Sequence, residues 1–315
     1  MDKIIFFNMN QIGDLLFALP VMKAAKKQYP DTKIYCVIKE NLKDLLISAN
    51  VADEIFVKGK TFKDKLNLIN RIKKENIDTA VLFSESPESL LTAFCSGIKN
   101  RVGFKTASLN FLLTKKSQKT GVPSLKNNIS LATVAGIKDV QTNYVNVLCE
   151  NVQSKEFTEK WLNENNLSKN NYVVVSMGAS AKRQEKCLPQ NTWIKVINKL
   201  QAKNVSVVIS YAKWEEETIK NIISKCQKQP YIFSEGLLNL VSLLISSKLF
   251  IGIDSGIMHL AASLGVKCVG IFGKTDPNQI GPQPLENHII IKNENIKDIS
   301  SDEIVDSIST ISLWK

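Results

Sequence analysis

Short apolar runs alternate along this chain with stretches whose apolar residues recur at helical spacing. In the first such stretch, Leu15, Leu19 and Met22 fall on one face of a helix. The runs themselves are apolar at consecutive positions, as strands buried on both faces are. In chain order they are Lys3–Phe7, Lys33–Ile38, Thr79–Phe83, Tyr172–Ser176, Val205–Tyr211, Leu249–Ile253 and Lys267–Phe272. The alternation predicts an α/β fold in which parallel sheets lie between layers of helices.

The alternation restarts near Tyr172, after the polar region Glu150–Asn171. A chain of 315 residues is long for one hydrophobic core and suits two domains of ordinary size. We therefore predict an N-terminal domain over residues 1–160 and a C-terminal domain over residues 161–298.

The last segment, residues 299–315, has the pattern of a separate helix. Ile304, Ile308 and Ile311 lie on one face of it. We expect this C-terminal helix to pack back toward the N-terminal domain.

The net charge of +11 is unevenly spread. Residues 1–150 contain 22 Lys and Arg against 14 Asp and Glu, a net charge of +8, and the rest of the chain carries +3. A basic domain attracts anionic partners by long-range electrostatics. Nucleic acid, an anionic membrane surface and a phosphorylated substrate all fit this charge, and so does a lysine-rich composition without functional meaning.

No apolar run reaches the roughly 18 residues that a membrane span needs. The best candidate, Val241–Ile253, is interrupted by Ser246, Ser247 and Lys248. The N-terminus lacks the pattern of a secretory signal. The six cysteines are scattered singly, without a C-x-x-C pair. We expect a cytoplasmic protein with buried free thiols and neither a disulfide framework nor a zinc site.

Parallel sheets bind ligands beyond the carboxyl ends of their strands, so the loops that follow strands are candidate sites. The first such loop, Asn8–Asp14, leads into a helix. Gly13 suits a tight turn, and Asp14 is either a helix-capping residue or a general base. The loop lacks G-x-G-x-x-G, which argues against a nicotinamide dinucleotide.

A second loop, Met177–Pro189, follows the strand Tyr172–Ser176. Gly178 permits a close approach of the backbone, Ser180 supplies a hydroxyl, and Lys186 supplies a positive charge, which together suit a phosphate group. A solvated basic loop is the competing interpretation. The G-K-[ST] ending of a Walker A motif is missing.

A third loop follows the strand Leu249–Ile253 and opens a helix that Gly265 is expected to end. The first amides of such a helix form an anion site, and small residues there leave room for a diphosphate. Simple capping of the helix and a packed histidine are the structural alternatives. The candidate residues are Asp254, Ser255, Gly256, Ile257, Met258 and His259.

In their order and spacing these loops resemble the glycosyltransferase family that contains the bacterial ADP-heptose:lipopolysaccharide heptosyltransferases, glycosyltransferase family 9. Arg101–Phe104 also resembles a turn of that family. The segments that carry the resemblance are Gln11–Asp14, Gly178–Ser180 with Lys186 and Pro189, Asp254–Ala262 and Phe272–Pro277.

The resemblance implies a GT-B fold, with two Rossmann-like domains whose parallel sheets face a central cleft. The acceptor would bind to the first domain and the nucleotide sugar to the second. Asp14 matches the catalytic base, and Ser180, Lys186 and the turn Asp254–His259 match the diphosphate and sugar contacts. Gly13, Gly178 and Gly273 are expected to shape the loops. The segment Lys213–Glu217 departs from the family pattern where the ribose is held, so which glutamate binds the ribose, if any, stays open.

The implied reaction is an inverting, metal-independent transfer of heptose from ADP-heptose onto the inner core of lipopolysaccharide or lipooligosaccharide, at a Kdo-lipid A or heptosyl acceptor. Asp14 would deprotonate the acceptor hydroxyl, and Lys186 would stabilise the departing diphosphate. No cofactor or metal is expected, because no D-x-D pair occurs in a suitable loop. An anionic, lipid-linked acceptor predicts peripheral contact of the basic domain with the cytoplasmic face of the inner membrane.

Three alternatives stay open. A GT-B enzyme for another nucleotide sugar, either a hexosyltransferase or a nucleotide-sugar epimerase, would share the scaffold. A non-catalytic protein would bind a nucleotide sugar without turnover. A nucleic-acid-binding protein fits the charge alone, since no recognised motif or basic–aromatic stripe supports it, and nucleic acid is not an expected partner.

Overall fold

The computed structural model describes residues 2–8, 11–178 and 183–309, with the side chains of Gln184 and Ser309 left aside. The chain divides into two compact units, Met1–Cys149 and Glu150–Lys315. In the described part of each unit, six strands form one wholly parallel sheet. The α/β prediction is therefore confirmed.

The first unit alternates strands and helices. Its strands lie in the order β3-β2-β1-β4-β5-β6, so the order reverses between β1 and β4. The carboxyl ends of strands at such a reversal flank a crevice where ligands bind. The elements are β1 (Lys3–Phe7), α1 (Ile12–Gln28), β2 (Lys33–Ile38), α2 (Lys43–Ala49), β3 (Glu54–Val57), α3 (Phe62–Lys74), β4 (Thr79–Leu82), α4 (Pro87–Cys95), β5 (Asn100–Phe104), β6 (Lys115–Ser117) and α5 (Ser124–Ala135).

The second unit repeats the plan in the order β12-β11-β10-β7-β8-β9, with the reversal between β7 and β10. The elements are α6 (Val152–Glu164), β7 (Tyr172–Ser176), α7 (Gln190–Ala202), β8 (Ser206–Ser210), α8 (Glu216–Ile223), β9 (Tyr231–Phe233), α9 (Leu237–Ile245), β10 (Leu249–Ile253), α10 (Gly256–Ser263), β11 (Cys268–Phe272), α11 (Pro277–Ile280), β12 (Ile289–Lys292) and α12 (Ser301–Ser309).

The central strands are buried along their whole length. All five residues of β7 and all five of β10 are buried from solvent. Fully burying a Val or Ile side chain contributes about 1.5–3 kcal/mol, so these strands supply much of the stability of the second unit. Four predicted strands (β1, β2, β7 and β10) have the predicted bounds, and three others begin or end within one residue of them.

Arg101–Phe104, expected as a turn, belongs instead to strand β5. Val102–Phe104 pairs with Lys115–Ser117 of β6. The Arg101 guanidinium donates to the carbonyl oxygen of Leu112 at 2.7 Å, which ties the strand to the turn that follows it. The prediction failed because β5 begins with two polar residues, Asn100 and Arg101.

Two domain predictions differ from the structure. The boundary falls at Cys149, because α6 packs on α9 of the second unit, and a boundary at residue 160 would cut that helix. The described part of the C-terminal helix, α12 (Ser301–Ser309), packs within the second unit. Ile304 and Ile308 of α12 lie in the core of the second unit, where α12 covers α7, β11 and β12. Ile311 lies outside the described residues.

Within the described ranges, no helix is long and apolar enough to cross a membrane. All six cysteines are free thiols, but the prediction that they are buried holds for only two of them. Only Cys36 and Cys268 are fully buried, whereas Cys95 and Cys149 are exposed.

Candidate functional site

A polar cavity of about 230 Å³ lies where β1, β4 and β5 of the first unit end. Strand order reverses between β1 and β4, so its position agrees with the rule for ligand sites in parallel sheets. Phe17, Phe83 and Phe104 supply its apolar wall. The polar lining consists of Asn8, Asp14, Ser84, Glu85, Lys119, Ser124, Asn127 and Asn128.

Asp14 lies in the first turn of α1 with an exposed side chain. Its Oδ2 accepts the backbone N–H of Gln11 at 3.1 Å, and Asn8 Nδ2 donates to its carbonyl oxygen at 2.9 Å. The carboxylate therefore also stabilises the start of the helix. Gly13 is the second residue of α1 and not part of a tight turn, which corrects that prediction.

The surrounding protein raises the pKa of Asp14 above its ordinary value. Desolvation is the largest cause, and it outweighs the hydrogen bond from Gln11 and the positive charge of Lys39, which both lower the pKa. Asp14 is nevertheless a solvent-accessible residue where it lines the cavity. An accessible carboxylate with a raised pKa is a stronger base than an ordinary one, which suits proton abstraction.

Sequence reasoning missed Glu85 and Lys119 in the same cavity. The two side chains form an ion pair, and Thr106 Oγ1 donates to the Glu85 carboxylate. Burial opposes ionisation of Glu85, but the hydrogen bonds from Lys119 and Thr106 outweigh it and lower its pKa. Glu85 follows a correctly predicted strand, so the rule that directed attention to strand ends would have identified it.

In the second unit, Lys186 and Asp254 form an ion pair that joins the loops after β7 and β10. The exposed fractions of the two side chains are 19% and 6%. Thr275 Oγ1 donates to the same carboxylate at 2.8 Å. Asp254 is thus held by two partners from two loops, and it does not cap α10.

The cap of α10 is Ser255, whose Oγ accepts the N–H of Met258 at 3.4 Å. The amides of Gly256 and Ile257 belong to the first turn of the helix, at the positive end of its dipole. Met258 is fully buried and its N–H is bonded to Ser255, so it offers a ligand neither its side chain nor its amide. Gly265 adopts a φ of +77° just past the end of the helix, as predicted for its C-terminal stop.

His259 is buried near the Lys186–Asp254 pair. Burial lowers its pKa to about 4, which outweighs the opposing effect of the Asp254 charge. The imidazole is therefore neutral at pH 7 and adds no positive charge to this site.

A second cavity, of about 510 Å³, lies at the carboxyl ends of β7 and β8. Gly178, Trp214 and Glu215 line it. Glu215 Oε2 accepts the N–H of Ala212 at 2.8 Å, and burial raises the pKa of Glu215 despite this bond. The Trp214 side chain is 63% exposed. Glu215 lies within the segment Lys213–Glu217, where sequence reasoning could not select a residue.

Gly178 approaches Glu215 so closely that a Cβ added at residue 178 would lie 1.4 Å from Glu215 Oε1. A side chain at residue 178 would therefore displace the Glu215 carboxylate, and the predicted loop-shaping role of Gly178 stays a prediction. Gly273 is less constrained, since a Cβ there would lie 3.3 Å from the Ile296 Cβ. Ser180 lies outside the described residues. Among the side chains that are described, no group of three or more His, Cys, Asp or Glu is placed to hold a metal ion.

The chain is similar in sequence to known glycosyltransferases. The family model described as glycosyltransferase family 9 (heptosyltransferase) matches residues 65–308. Lipopolysaccharide heptosyltransferase 3 of Escherichia coli strain K12 is 26% identical over 281 residues, which cover 84% of this chain and 80% of that protein.

Two solved structures have the same fold. A glycosyl transferase family 9 protein from Veillonella parvula DSM 2008 superposes with a TM-score of 0.87 at 16% identity, over 98% of this chain and 96% of that one. The ADP-heptose lps heptosyltransferase II of Escherichia coli superposes with a TM-score of 0.82 at 18% identity, over 98% of both chains.

Proposed function

Because this chain belongs to glycosyltransferase family 9, the heptosyltransferases, and has the GT-B fold of its solved members, we propose that it transfers heptose from ADP-heptose to the inner core of lipopolysaccharide or lipooligosaccharide. The observation that carries the proposal is the Lys186–Asp254 pair beside the first turn of α10. It fixes a cation next to helix amides, which is the chemistry that a diphosphate needs.

The diphosphate binds between Lys186 and the amides of Gly256 and Ile257. An ammonium has three N–H donors, and the contact with Asp254 uses one, so two remain for phosphate oxygens. When the sugar–phosphate bond breaks, negative charge develops on the leaving ADP. The cation and the helix dipole then stabilise the transition state more than the ground state.

The nucleoside occupies the cavity beside Glu215. The Glu215 carboxylate accepts the ribose hydroxyls, and the exposed Trp214 indole offers a flat apolar surface for the base. The sequence supports this placement of the nucleoside next to the diphosphate. Gly178, which lines the cavity, and Lys186, which contacts the diphosphate, belong to the same loop after β7.

The acceptor sugar binds in the polar cavity of the first unit. Asp14 takes the proton of the acceptor hydroxyl, whose oxygen attacks the anomeric carbon opposite the diphosphate. The bond from that carbon to the ADP oxygen breaks, ADP leaves with the electron pair, and the configuration inverts. Lys119 and the asparagines of the cavity suit an anionic, hydroxyl-rich acceptor such as Kdo-lipid A or a heptosylated core.

The reaction is metal-independent in this proposal, because Lys186 and the helix amides supply the positive charge that a metal supplies elsewhere. A lipid-linked acceptor lies in a bilayer, and the protein must reach it there. We therefore propose that the protein makes peripheral contact with the inner membrane. The net charge of +8 over residues 1–150 favours an anionic surface.

The test is incubation with a panel of nucleotide sugars, ADP-heptose among them, and with defined core acceptors, read by product mass. The expected result is one added heptose, only when ADP-heptose and a core acceptor are both present. Transfer from another nucleotide sugar would identify a different hexosyltransferase. Acceptor-independent release of an epimer, or binding without turnover, would contradict the transferase proposal.

A further inference from the structure

Five large apolar side chains are exposed on adjoining elements of the first unit. Phe62 and Leu66 belong to α3, Leu91 and Phe94 to α4, and Phe111 to the 3₁₀ turn Asn110–Leu112. Their exposed fractions run from 44% for Leu91 to 76% for Phe62. Single exposed apolar residues are ordinary, but a group on neighbouring elements indicates an interaction surface. We name these five residues the α3–α4 surface.

The two helices of this surface are held side by side. Lys65 of α3 forms an ion pair with Glu88 of α4 at 3.0 Å. At the other end of α4, the Ser96 hydroxyl is 3.4 Å from the carbonyl oxygen of Ile69. Phe62 and Leu66 are four residues apart and Leu91 and Phe94 three apart, so each pair lies on one face of its helix.

Arg101 joins α4 to the 3₁₀ turn. Its guanidinium lies over the Phe94 ring, 5.3 Å from the centroid, and its Nε donates to the carbonyl oxygen of Leu112 at 2.7 Å. Arg101 therefore anchors both phenylalanines. It contacts the Phe94 ring directly, and it holds Phe111 through the next residue in the chain, Leu112.

Exposed lysines lie close to the α3–α4 surface. Lys116 Nζ donates to Asn110 Oδ1 at 3.2 Å, next to Phe111. The nearby carboxylates are engaged, since Asp64 caps α3 through Thr61 and Glu88 pairs with two lysines. Lys63 directly follows Phe62, and further exposed lysines lie within six residues of Phe94 or Phe111 in the chain, among them Lys99, Lys105 and Lys116.

One end of the surface, where Phe62 begins α3, lies near the acceptor cavity. Helices α3 and α4 begin where β3 and β4 end, which is the edge of the sheet that carries Asp14. Ser84 and Glu85 of the cavity lie directly before α4 in the chain.

We propose that the α3–α4 surface docks on an anionic phospholipid bilayer. The aromatic and leucine side chains enter the boundary between headgroups and acyl chains, and the lysines contact lipid phosphates. Charge decides this choice of partner, because an apolar group with a positively charged rim complements an anionic bilayer. The inference deepens the proposed function, since a lipid-linked acceptor would then reach the cavity from the membrane on which the protein sits.

The experiment is sedimentation with vesicles that contain no acceptor. The protein is expected to bind vesicles of phosphatidylglycerol and phosphatidylethanolamine, to bind pure phosphatidylcholine weakly, and to lose affinity as salt rises. The triple variant Phe62→Ser, Phe94→Ser, Phe111→Ser is expected to bind about tenfold more weakly or worse. The matched control Ile47→Ser, Val152→Ser removes two exposed apolar side chains elsewhere and is expected to bind normally.

Absence of binding by the wild type, or equal binding by the triple variant, would overturn the proposal. So would a wild-type dimer that the triple variant converts to a monomer, because the surface would then be a protein interface. Thermal unfolding checks that the variant is folded. The vesicles hold neither acceptor nor donor, so the outcome is independent of whether the chain transfers heptose.

Discussion

The Lys186 ammonium and the Asp254 carboxylate form a largely buried ion pair although 68 residues separate them in the chain. Lys186 lies in the loop after β7 and Asp254 directly after β10, and these strands are neighbours where the strand order of the second unit reverses. The pair therefore holds together two loops that the proposed donor must contact. Thr275 adds a third loop through its hydroxyl.

Breaking this pair is expected to destabilise the second unit. Removing one partner of a buried pair leaves an uncompensated charge, so Asp254→Ala should lower the free energy of unfolding by about 3 kcal/mol. The double variant with Lys186→Ala should lose less than the sum of the two single variants. Urea unfolding measures each value.

The exposed pair of Lys199 and Asp302 is the matched control, since it also joins distant segments of the second unit. Asp302→Ala should cost no more than about 1 kcal/mol. Equal losses for Asp254→Ala and Asp302→Ala would mean that burial of the first pair has no energetic consequence.

Asp14→Asn is expected to reduce the rate of transfer by about 10²–10⁴-fold while leaving the affinity for ADP unchanged. The amide has the size of the carboxylate but cannot take a proton from the acceptor. Single-turnover kinetics and calorimetric titration with ADP separate the two effects. Asp31→Asn, which changes another exposed carboxylate of the first unit, should have normal kinetics.

The pH profile of kcat/KM tests the same residue differently. A general base acts when ionised, and desolvation raises the pKa of Asp14. Activity should therefore fall on acidification at a higher pH than the ordinary carboxyl value of about 3.9 would give. The residual activity of Asp14→Asn should lack this acidic limb, and an unchanged limb would assign it to another group.

The sequence predicted the interior of both sheets better than their edges. Central strands such as β1 and β10 are buried on both faces and appear as unbroken apolar runs. The edge strands β6 and β9 have three residues each, and β6 contains Lys115 and Lys116. Such strands are defined by hydrogen bonds to a neighbour, which a single apolar pattern does not encode.

At the candidate site, the sequence identified loops but not contacts. Lys186 and Asp254 were both expected near the diphosphate, yet nothing in their spacing indicated that they pair with each other. Glu215 could not be chosen from among three successive glutamates, because only the fold shows which of them turns toward Gly178. Packing of α12 on its own unit was unpredictable for a similar reason, since one apolar face fits many partners.

Transfer is expected to proceed at the same rate in EDTA and with added Mg²⁺, because Lys186 and the α10 amides supply the positive charge in the proposed mechanism. Lys186→Ala should weaken ADP binding by about tenfold or more and also slow transfer. Rescue of that variant by Mg²⁺ would support the electrostatic role. A wild-type enzyme that requires a divalent cation would contradict the metal-independent mechanism.

Gly178→Ala and Glu215→Gln are expected to weaken ADP binding through the same contact. Glu215→Gln removes the charge that accepts the ribose hydroxyls, and a hydrogen bond to a charged group is worth about 1.5–3 kcal/mol, so affinity should fall at least about tenfold. A methyl group at residue 178 would overlap Glu215 Oε1, so the carboxylate must move away. The double variant should therefore bind ADP no more weakly than the weaker single variant.

The control for this pair is Gly236→Ala, because no atom lies within 4 Å of a Cβ added at residue 236. That variant should bind ADP with wild-type affinity in calorimetric titration. Wild-type affinity in Gly178→Ala would show that the Glu215 carboxylate can be displaced without loss, and the ribose would then have to be held elsewhere. Additive losses in the double variant would mean that the two residues act on the nucleotide separately, with Gly178 acting through the loop that leads to Lys186.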